Sequence, residues 1–279
     1  MPEVAISQRI DTLKEKAFNI RRHIITMARG RGEGYAGQGL DAADIFSAIY
    51  FDQLEFDGKA LKDPARNRFL LSTGHYSIVL FAALAEAGVF THADLLTYGA
   101  NESRLEMSAS ETTVGVEITG GALGHGLSQA VGMALGSRLS GRNFRVYNFL
   151  SDGELQEGST WEAAMAASHF RLDQLFAIVD INNMQADGKV SNVMTVEPVE
   201  GKWGAFGWHT QRVNGNSIEA LVDAFDAARK IRGKPKVLVC DTQLGHGVPL
   251  VAERANAHFV RVDAAEWDKA LQELEASHR

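Results

Sequence analysis

Two polar stretches follow apolar runs that are typical of neighbouring strands. Asp152 comes just after the run 144–150, and Asn182 directly follows the run 176–181. Because the carboxyl ends of parallel strands meet at one edge of a sheet, we expect the two side chains to lie close together. A carboxylate, an amide oxygen and a backbone carbonyl from the loop after Asn182 suit Mg²⁺ or Ca²⁺, which prefer about six oxygen ligands. The ion would need further oxygens from a ligand such as a diphosphate, which glycine-loop amides could bind.

A more ordinary interpretation of the same residues stays open at this point. Asp152-Gly153 is also typical of a surface turn, and Asn182-Asn183 is also typical of the exit from a strand. The residue types alone do not decide between a metal site and two turns, so the rest of the sequence has to supply the context.

The composition is that of a globular protein with an acidic balance of charge. Of 279 residues, 45% are hydrophobic and 23% are charged, and the net charge is −7. This charge disfavours a general nucleic-acid or anionic-membrane surface. The amino-terminal sequence is too polar for a signal peptide and no 18 apolar residues run together, so we expect a cytoplasmic protein without membrane contact. The single cysteine, Cys240, is predicted to be a small core residue.

Strand-like and helix-like segments alternate along the chain. A helix is predicted at 7–29, another after Ser217 as its N-cap, and a C-terminal helical extension at 264–276. The apolar strand candidates are 69–72, 144–150, 176–181, 209–213 and 236–242. We therefore predict an α/β fold whose mostly parallel central sheet is covered by helices on both faces. No proline- or serine-rich linker divides residues 1–279, which we interpret as one domain with N- and C-terminal helical extensions.

Four ordered segments resemble the transketolase family of thiamine-diphosphate enzymes. They are "GYAGQGLDAAD", "RNRFLLSTGHYS", "GVEITGGALGHGLSQAVGMALG" and "SDGELQEGSTWEAAMAASHFRLDQLFAIVDINNMQADG", and the last is similar to the diphosphate motif of the family. The similarity extends over about residues 10–262. It implies a three-layer α/β/α thiamine-diphosphate-binding fold, with thiamine diphosphate and Mg²⁺ (or Ca²⁺) as cofactors. It also implies transfer of a two-carbon ketol unit from a ketose to an aldehyde.

The resemblance assigns cofactor roles to individual positions. It implies that Asp152 and Asn182 bind the metal ion through their side chains and that Met184 binds it through its carbonyl. The other cofactor contacts that it implies are Gly153 and Glu154 at the diphosphate, and Gly121 and Leu123 at the aminopyrimidine.

Three residues are the catalytic candidates that the resemblance supplies. His75 is expected to reach the diphosphate and the substrate, and His258 to face cofactor and substrate. Glu157 is expected in a carboxylate network at a subunit interface. His246 lies in a glycine-flanked loop of the same segment as His258 and is a candidate cofactor contact. For His246 and His258, a loop histidine with ordinary hydrogen bonds is an open alternative.

One catalytic group of the family is expected on another polypeptide. Thiamine chemistry needs a carboxylate beside the aminopyrimidine to promote its imino tautomer. In the family this glutamate belongs to a pyrimidine-binding domain that follows the diphosphate-binding domain, and Glu157 is no substitute because it is tied to the metal turn. We therefore expect a separate partner subunit carrying that domain, assembly as an α2β2 heterotetramer, and small sugar or sugar-phosphate substrates.

Two positions depart from the family where it contacts the sugar. Tyr35 in "GYAG" stands where the family usually has the histidine of Gly-His-Pro-Gly, and Arg104 in "SRLE" stands where it usually has the histidine of Gly-His-Pro-Glu. We expect both side chains to face the substrate funnel. An arginine suits a planar carboxylate, phosphate or sulfonate group, so the hypothesis is an anionic or otherwise atypical substrate.

Two other functions stay open from the sequence. One is the α-subunit of a 2-oxo-acid dehydrogenase first component, or a related carrier-arm acyl or ketol transferase. The motifs "GVEITGG" and "DGELQEG" favour transketolase, whereas Tyr35 and Arg104 keep the first alternative open. The other is a catalytically inactive paralogue, against which the intact Asp152, Gly153 and Asn182 argue.

Overall fold

The central element of the protein is a five-stranded parallel sheet. The computed structural model describes residues 2–56, 58–254 and 257–278. The strands of this sheet are β2 Arg68–Leu71, β3 Val146–Ser151, β4 Leu175–Ile181, β7 His209–Asn214 and β8 Lys236–Asp241. Their order in the sheet is β2-β3-β4-β8-β7, so the chain crosses over between non-consecutive neighbours.

Helices connect and flank these strands. The α-helices are α1 Pro2–Arg31, α2 Ala36–Asp41, α3 Ala43–Ala48, α4 Ser77–Glu86, α5 His92–Leu95, α6 Gly126–Leu139, α7 Gly158–His169, α8 Val190–Val193, α9 Val199–Ala205, α10 Ile218–Ala228, α11 Pro249–Ala252 and α12 Ala264–Ser277. Short 3-10 turns cover Lys59–Lys62, Gly74–Tyr76 and Gly153–Gln156, and a π-helical turn covers Ile49–Gln53. None of the helices in the described ranges is both long and apolar enough to cross a membrane.

Alternate residues of each buried strand pack into two separate cores. In β3, Tyr147 and Phe149 belong to a core that α1, α3, α4, α10 and α12 complete, whereas Val146 and Leu150 face a core completed by α6, α7 and α9. Successive side chains of a strand point to opposite faces, so a strand that is apolar at every position requires cover on both sides. The result is the three-layer α/β/α arrangement.

The predicted fold class is confirmed. Each of the five strand candidates lies within one or two residues of an observed strand, and all four pairings in the sheet are parallel. Ser217 is the N-cap of α10, where its hydroxyl accepts a hydrogen bond from the Ala220 amide at 3.2 Å. Cys240 is fully buried, as predicted for a small core residue.

Two short antiparallel pairs position loops over the carboxyl edge of the sheet. β1 (Glu33–Gly34) pairs with β9 (Val260–Arg261), which brings the loop after Gly34 next to the segment before Val260. β5 (Met184–Gln185) pairs with β6 (Gly188–Lys189) and folds back the loop that leaves β4. Both loops thus reach the edge where ligands bind in parallel sheets.

Candidate active site

A cavity of about 650 Å³ opens above the carboxyl edge of the sheet. Its volume is in the usual range for a cofactor or substrate site. The predicted site residues that line it are Tyr35, His75, Gly121, Leu123, Gly153, Glu157, Met184 and His258. These residues come from six separate segments of the chain, which therefore meet at one cavity.

Close backbone packing shapes the floor of the cavity. The loop that leaves β2 and the loop before α6 touch through glycines: a Cβ on Gly74 would lie 2.5 Å from the carbonyl carbon of Gly120. The amide of Gly121 donates to the Ser72 carbonyl at 3.0 Å, which ties the two loops together. Only glycine permits this approach, so these residues place His75 and Leu123 on adjacent walls.

Asp152 lies buried at the carboxyl end of β3. Its Oδ1 accepts the Gly153 amide at 2.7 Å and its Oδ2 accepts the Asn183 amide at 2.7 Å, so it joins the ends of β3 and β4. Burial, together with the neighbouring charge of Asp180, raises the pKa of Asp152 to about 7. Asp152 and Asn182 line a second groove of about 400 Å³ beside the main cavity, and Gly153 and Met184 line the cavity itself. The candidate metal ligands therefore stand between the two spaces.

Asp152 is buried together with two further carboxylates. Asp41, Asp152 and Asp180 are each at most 1% exposed. Burial, and after it the charge of Asp180, raises the pKa of Asp41, and burial raises the pKa of Asp180 to about 6. The Asp41 Oδ1 has no hydrogen-bond partner among the described residues. Burial of ionised carboxylates close together is unfavourable unless a positive charge balances them. A divalent cation at Asp152 fits this environment.

The Asn182 amide is held in one orientation by this cluster. Its Nδ2 lies 2.9 Å from Asp41, 2.9 Å from Asp180 and 3.0 Å from the Tyr76 hydroxyl, and its two N–H donors are shared among these three oxygens. Its Oδ1 lies on the other side of the amide group, where it accepts the Met184 amide at 2.9 Å. The Nδ2 thus faces Asp41 and Asp180, which leaves the oxygen on the side away from these two carboxylates. In the described ranges no three His, Cys, Asp or Glu side chains converge as metal ligands, so a bound ion would rely on amide and carbonyl oxygens as well.

Aromatic rings form one wall of the cavity. The Tyr35 ring lies 5.2 Å from the His75 ring, 5.6 Å from the His258 ring and 5.0 Å from the Phe259 ring. The two imidazoles are themselves 5.6 Å apart. Burial and the proximity of His258 lower the pKa of His75 to about 3, and burial lowers the pKa of His258. Both imidazoles are therefore neutral at physiological pH. None of the described residues that line the cavity is an arginine or a lysine.

Glu154 does not line the cavity, in contrast to its predicted place at the diphosphate. Its carboxylate is buried, accepts the Gly124 amide at 2.7 Å and contacts the Ser72 hydroxyl. The 3-10 turn that follows Asp152 turns this side chain inward, so its role in the structure is to connect that turn with the loops before α4 and α6. Glu157, three residues further on, is exposed and lines the cavity.

Arg104 and His246 also lie outside the cavity. The hydroxyl of Thr113 binds the Arg104 carbonyl at 2.6 Å and the next residue, Leu105, is buried, so the Arg104 side chain faces outward and is exposed. His246 follows a turn in which Gly245 has a φ of +72°. This turn directs it toward α1, where Arg21 donates to its carbonyl at 3.2 Å and the side chain lines a separate groove.

The sequence interpretation missed several cavity residues. These are Tyr76, Met107, Ser108, Ser151, Gln156, Gln185, Ala186, Asp187 and Phe259. It also missed Gln38, which is fully buried and contacts His258. Most of them lie inside the quoted motifs, whereas Met107, Ser108 and Phe259 lie outside, but none of these residue types by itself carries a signal for a site.

The match to a known domain family decides which family this chain belongs to. The transketolase thiamine diphosphate binding domain matches residues 14–277. The chain belongs to the transketolase family. A putative uncharacterized transketolase family protein, y4mO, from Sinorhizobium fredii is 49% identical over 95% of this chain and 96% of its own length. The 6-deoxy-6-sulfo-D-fructose transketolase subunit SqwG from a Clostridium species is 36% identical over 96% of this chain and 98% of its own length.

Complete transketolases share the fold over part of their length. A transketolase variant from Pichia stipitis superimposes with a TM-score of 0.86 at 28% identity, covering 95% of this chain and 40% of the larger one. Human transketolase is 32% identical over 96% of this chain but only 42% of its own length. The chain thus corresponds to the thiamine-diphosphate-binding part of these longer transketolases and spans less than half of them.

Proposed function

We propose that this chain is the diphosphate-binding subunit of a heteromeric, Mg²⁺-dependent transketolase-like enzyme that moves a two-carbon ketol unit from a ketose to an aldehyde. The observation that carries the proposal is the grouping of Asp152, Asn182 and Met184 at the carboxyl edge of the sheet, beside a cavity walled by His75 and His258. Relatives of the same length are named as transketolase subunits, which supports the split arrangement.

The residues divide into those that hold the cofactor and those that face the substrate. Asp152, Asn182 and the Met184 carbonyl would bind a Mg²⁺ ion, and Gly121 and Leu123 would contact the aminopyrimidine. Thiamine diphosphate, when bound, supplies the carbon that accepts the ketol unit. His75 and His258 are neutral, so each can donate one N–H to an oxygen of the donor sugar without adding a charge to the cavity.

The partner subunit would close the open side of the cavity. α6 and α7 pack side by side and both begin at the cavity rim, next to Leu123 and Glu157. Their outer faces expose apolar side chains, with Leu139 78% and Met165 51% exposed. Burial of these two side chains by the partner would remove apolar surface from water, which favours association. We place Glu157 and this helix pair at the subunit interface, in an α2β2 assembly.

Replacing Gly132 in α6 with arginine is expected to prevent association with the partner subunit while leaving the fold intact. No atom lies within 4 Å of the Cβ position at Gly132, and arginine is a better helix former than glycine, which costs about 0.8–1.0 kcal/mol relative to alanine. A long cation in a close helix contact should weaken association by about 2 kcal/mol or more. Analytical ultracentrifugation of the co-expressed subunits would measure this. Gly204→Arg on α9 is the matched control, because its Cβ position is equally open. Normal assembly by Gly132→Arg would contradict the proposed interface.

Tyr35→His is expected to change the preference among ketose donors, whereas Arg104→His is not. Tyr35 lines the cavity and Arg104 is exposed outside it. A single contact in a pocket is worth about 1–3 kcal/mol, so the ratio of kcat/KM between two donors should move by roughly 10-fold to 100-fold in Tyr35→His. The measurement is a donor screen with the reconstituted enzyme and a separate titration of cofactor affinity. An altered donor preference in Arg104→His alone would restore the hypothesis that Arg104 recognises the substrate.

A further inference from the structure

Gln38 is buried beside one of the two cavity imidazoles. It lies in α2, its side chain is fully buried, and its Nε2 is within hydrogen-bond distance of the Nδ1 of His258. The two residues are 220 positions apart in the chain. Their contact depends on tight backbone packing, since a Cβ on Gly37 would lie 2.1 Å from the carbonyl oxygen of Ala257. The Gln38 side chain is therefore held against the ring with little freedom to move.

The direction of this hydrogen bond follows from the chemistry of the two groups. A neutral imidazole has one donor and one acceptor nitrogen, and the glutamine amide nitrogen can only donate. The Gln38 Nε2 therefore requires Nδ1 to be the acceptor. In the reverse orientation of the amide, its two N–H donors would occupy the buried position where the Gln38 Oε1 has no partner among the described residues. Orphaned buried donors are rarer than under-satisfied carbonyl oxygens, which favours the orientation observed.

The surroundings of His258 favour an uncharged ring. His75 lies 5.6 Å away and Tyr35 is at a similar distance on another side. A positive charge on both imidazoles would be repulsive at this separation, and burial opposes it further. The proton of a neutral His258 must then be on Nε2, because Nδ1 is the acceptor of the Gln38 hydrogen bond.

We propose that Gln38 is a positioning residue of the reaction: it fixes His258 as the neutral tautomer protonated on Nε2, so that this ring acts as a hydrogen-bond donor and not as a proton acceptor. The inference rests on the proposed function, since it concerns how His258 meets the substrate. A ring of fixed tautomer can bind a sugar oxygen without the cost of reorientation, which is the usual advantage of a pre-organised donor.

The tautomer can be read directly by NMR. In long-range ¹H–¹⁵N spectra of the full chain, His258 should show a pyridine-like Nδ1 and a pyrrole-like Nε2, with His258→Gln supplying the assignment. Gln38→Glu offers a carboxylate that accepts from the ring, so the pattern should be reversed. Gln38→Met removes the donor with little change in volume, so both tautomers should be populated. Gln211→Glu is the matched control, because Gln211 bonds the Ala224 carbonyl in α10.

Three results would overturn the proposal. One is a wild-type His258 that is protonated on Nδ1. This measurement uses the unmodified chain, so it does not depend on whether a variant folds. Another is an unchanged His258 pattern in both folded Gln38 variants. The third is an unchanged kcat/KM for ketose donors in reconstituted Gln38→Met, where we expect a loss of roughly 10-fold with unaltered cofactor affinity. The NMR result does not depend on turnover. If the chain shows the expected tautomer but binds no thiamine diphosphate, the proposed function is rejected while the assignment of the His258 tautomer stands.

Discussion

Replacing Asp152 with asparagine is expected to lower the affinity for thiamine diphosphate in Mg²⁺ by about 100-fold or more. Substitution of a residue that only hydrogen-bonds to a metal ligand typically lowers metal affinity or activity by about 10–100-fold. Loss of a charged ligand itself should lower the affinity by at least the upper value. The fold should persist, because asparagine keeps an acceptor for one of the two backbone amides that Asp152 now binds. Removing its charge also relieves the repulsion by Asp180.

The measurement is a calorimetric titration of the cofactor into the reconstituted enzyme at fixed Mg²⁺, with circular dichroism to monitor folding. Asn182→Ala should act in the same direction but more weakly, because it removes a neutral ligand. Asp173→Asn serves as the control, since Asp173 lies at the opposite, amino-terminal end of the sheet, where it binds the Gly233 amide. Wild-type affinity in Asp152→Asn would contradict the metal site proposed here.

The purified chain alone is expected to show no measurable ketol transfer, and activity should appear when the partner subunit is added. The reason is the carboxylate that must act on the aminopyrimidine, which we place on the partner. General acid–base groups of this kind contribute about 10²–10⁴ in rate, so the single chain should be at least about 100-fold less active than the complex. Thiamine diphosphate should also tighten the association of the two chains, because a ligand bound between them favours the complex.

A ketose-donor assay of each subunit separately and of the two together provides the test. The natural candidate for the partner is the product of the adjacent open reading frame, co-expressed with this chain. A 2-oxo-acid assay run in parallel distinguishes ketol transfer from the dehydrogenase-type alternative. Turnover by the rigorously purified single chain would reject the split arrangement, and an inactive complex that still binds cofactor would favour the inactive paralogue.

The sequence by itself determined the layers of the fold and the edge where the site lies. Tyr147 and Phe149 alternate with Val146 and Leu150 in one apolar run, and only a strand covered on both faces buries all four. The position of Asp152 is likewise local, since a residue just after a parallel strand must lie at the carboxyl edge of its sheet. These features could be predicted because strand periodicity and chain direction are properties of consecutive residues.

Only the tertiary structure decided which way individual loop side chains face. Glu154 turns inward because Ser72 and the Gly124 amide meet it there, Arg104 turns outward because Leu105 takes the buried position, and His246 is directed toward Arg21. The Gln38–His258 pair joins residues 220 positions apart. In loops no periodicity constrains the side chain, so its direction depends on the distant elements that pack against it, which local sequence does not specify.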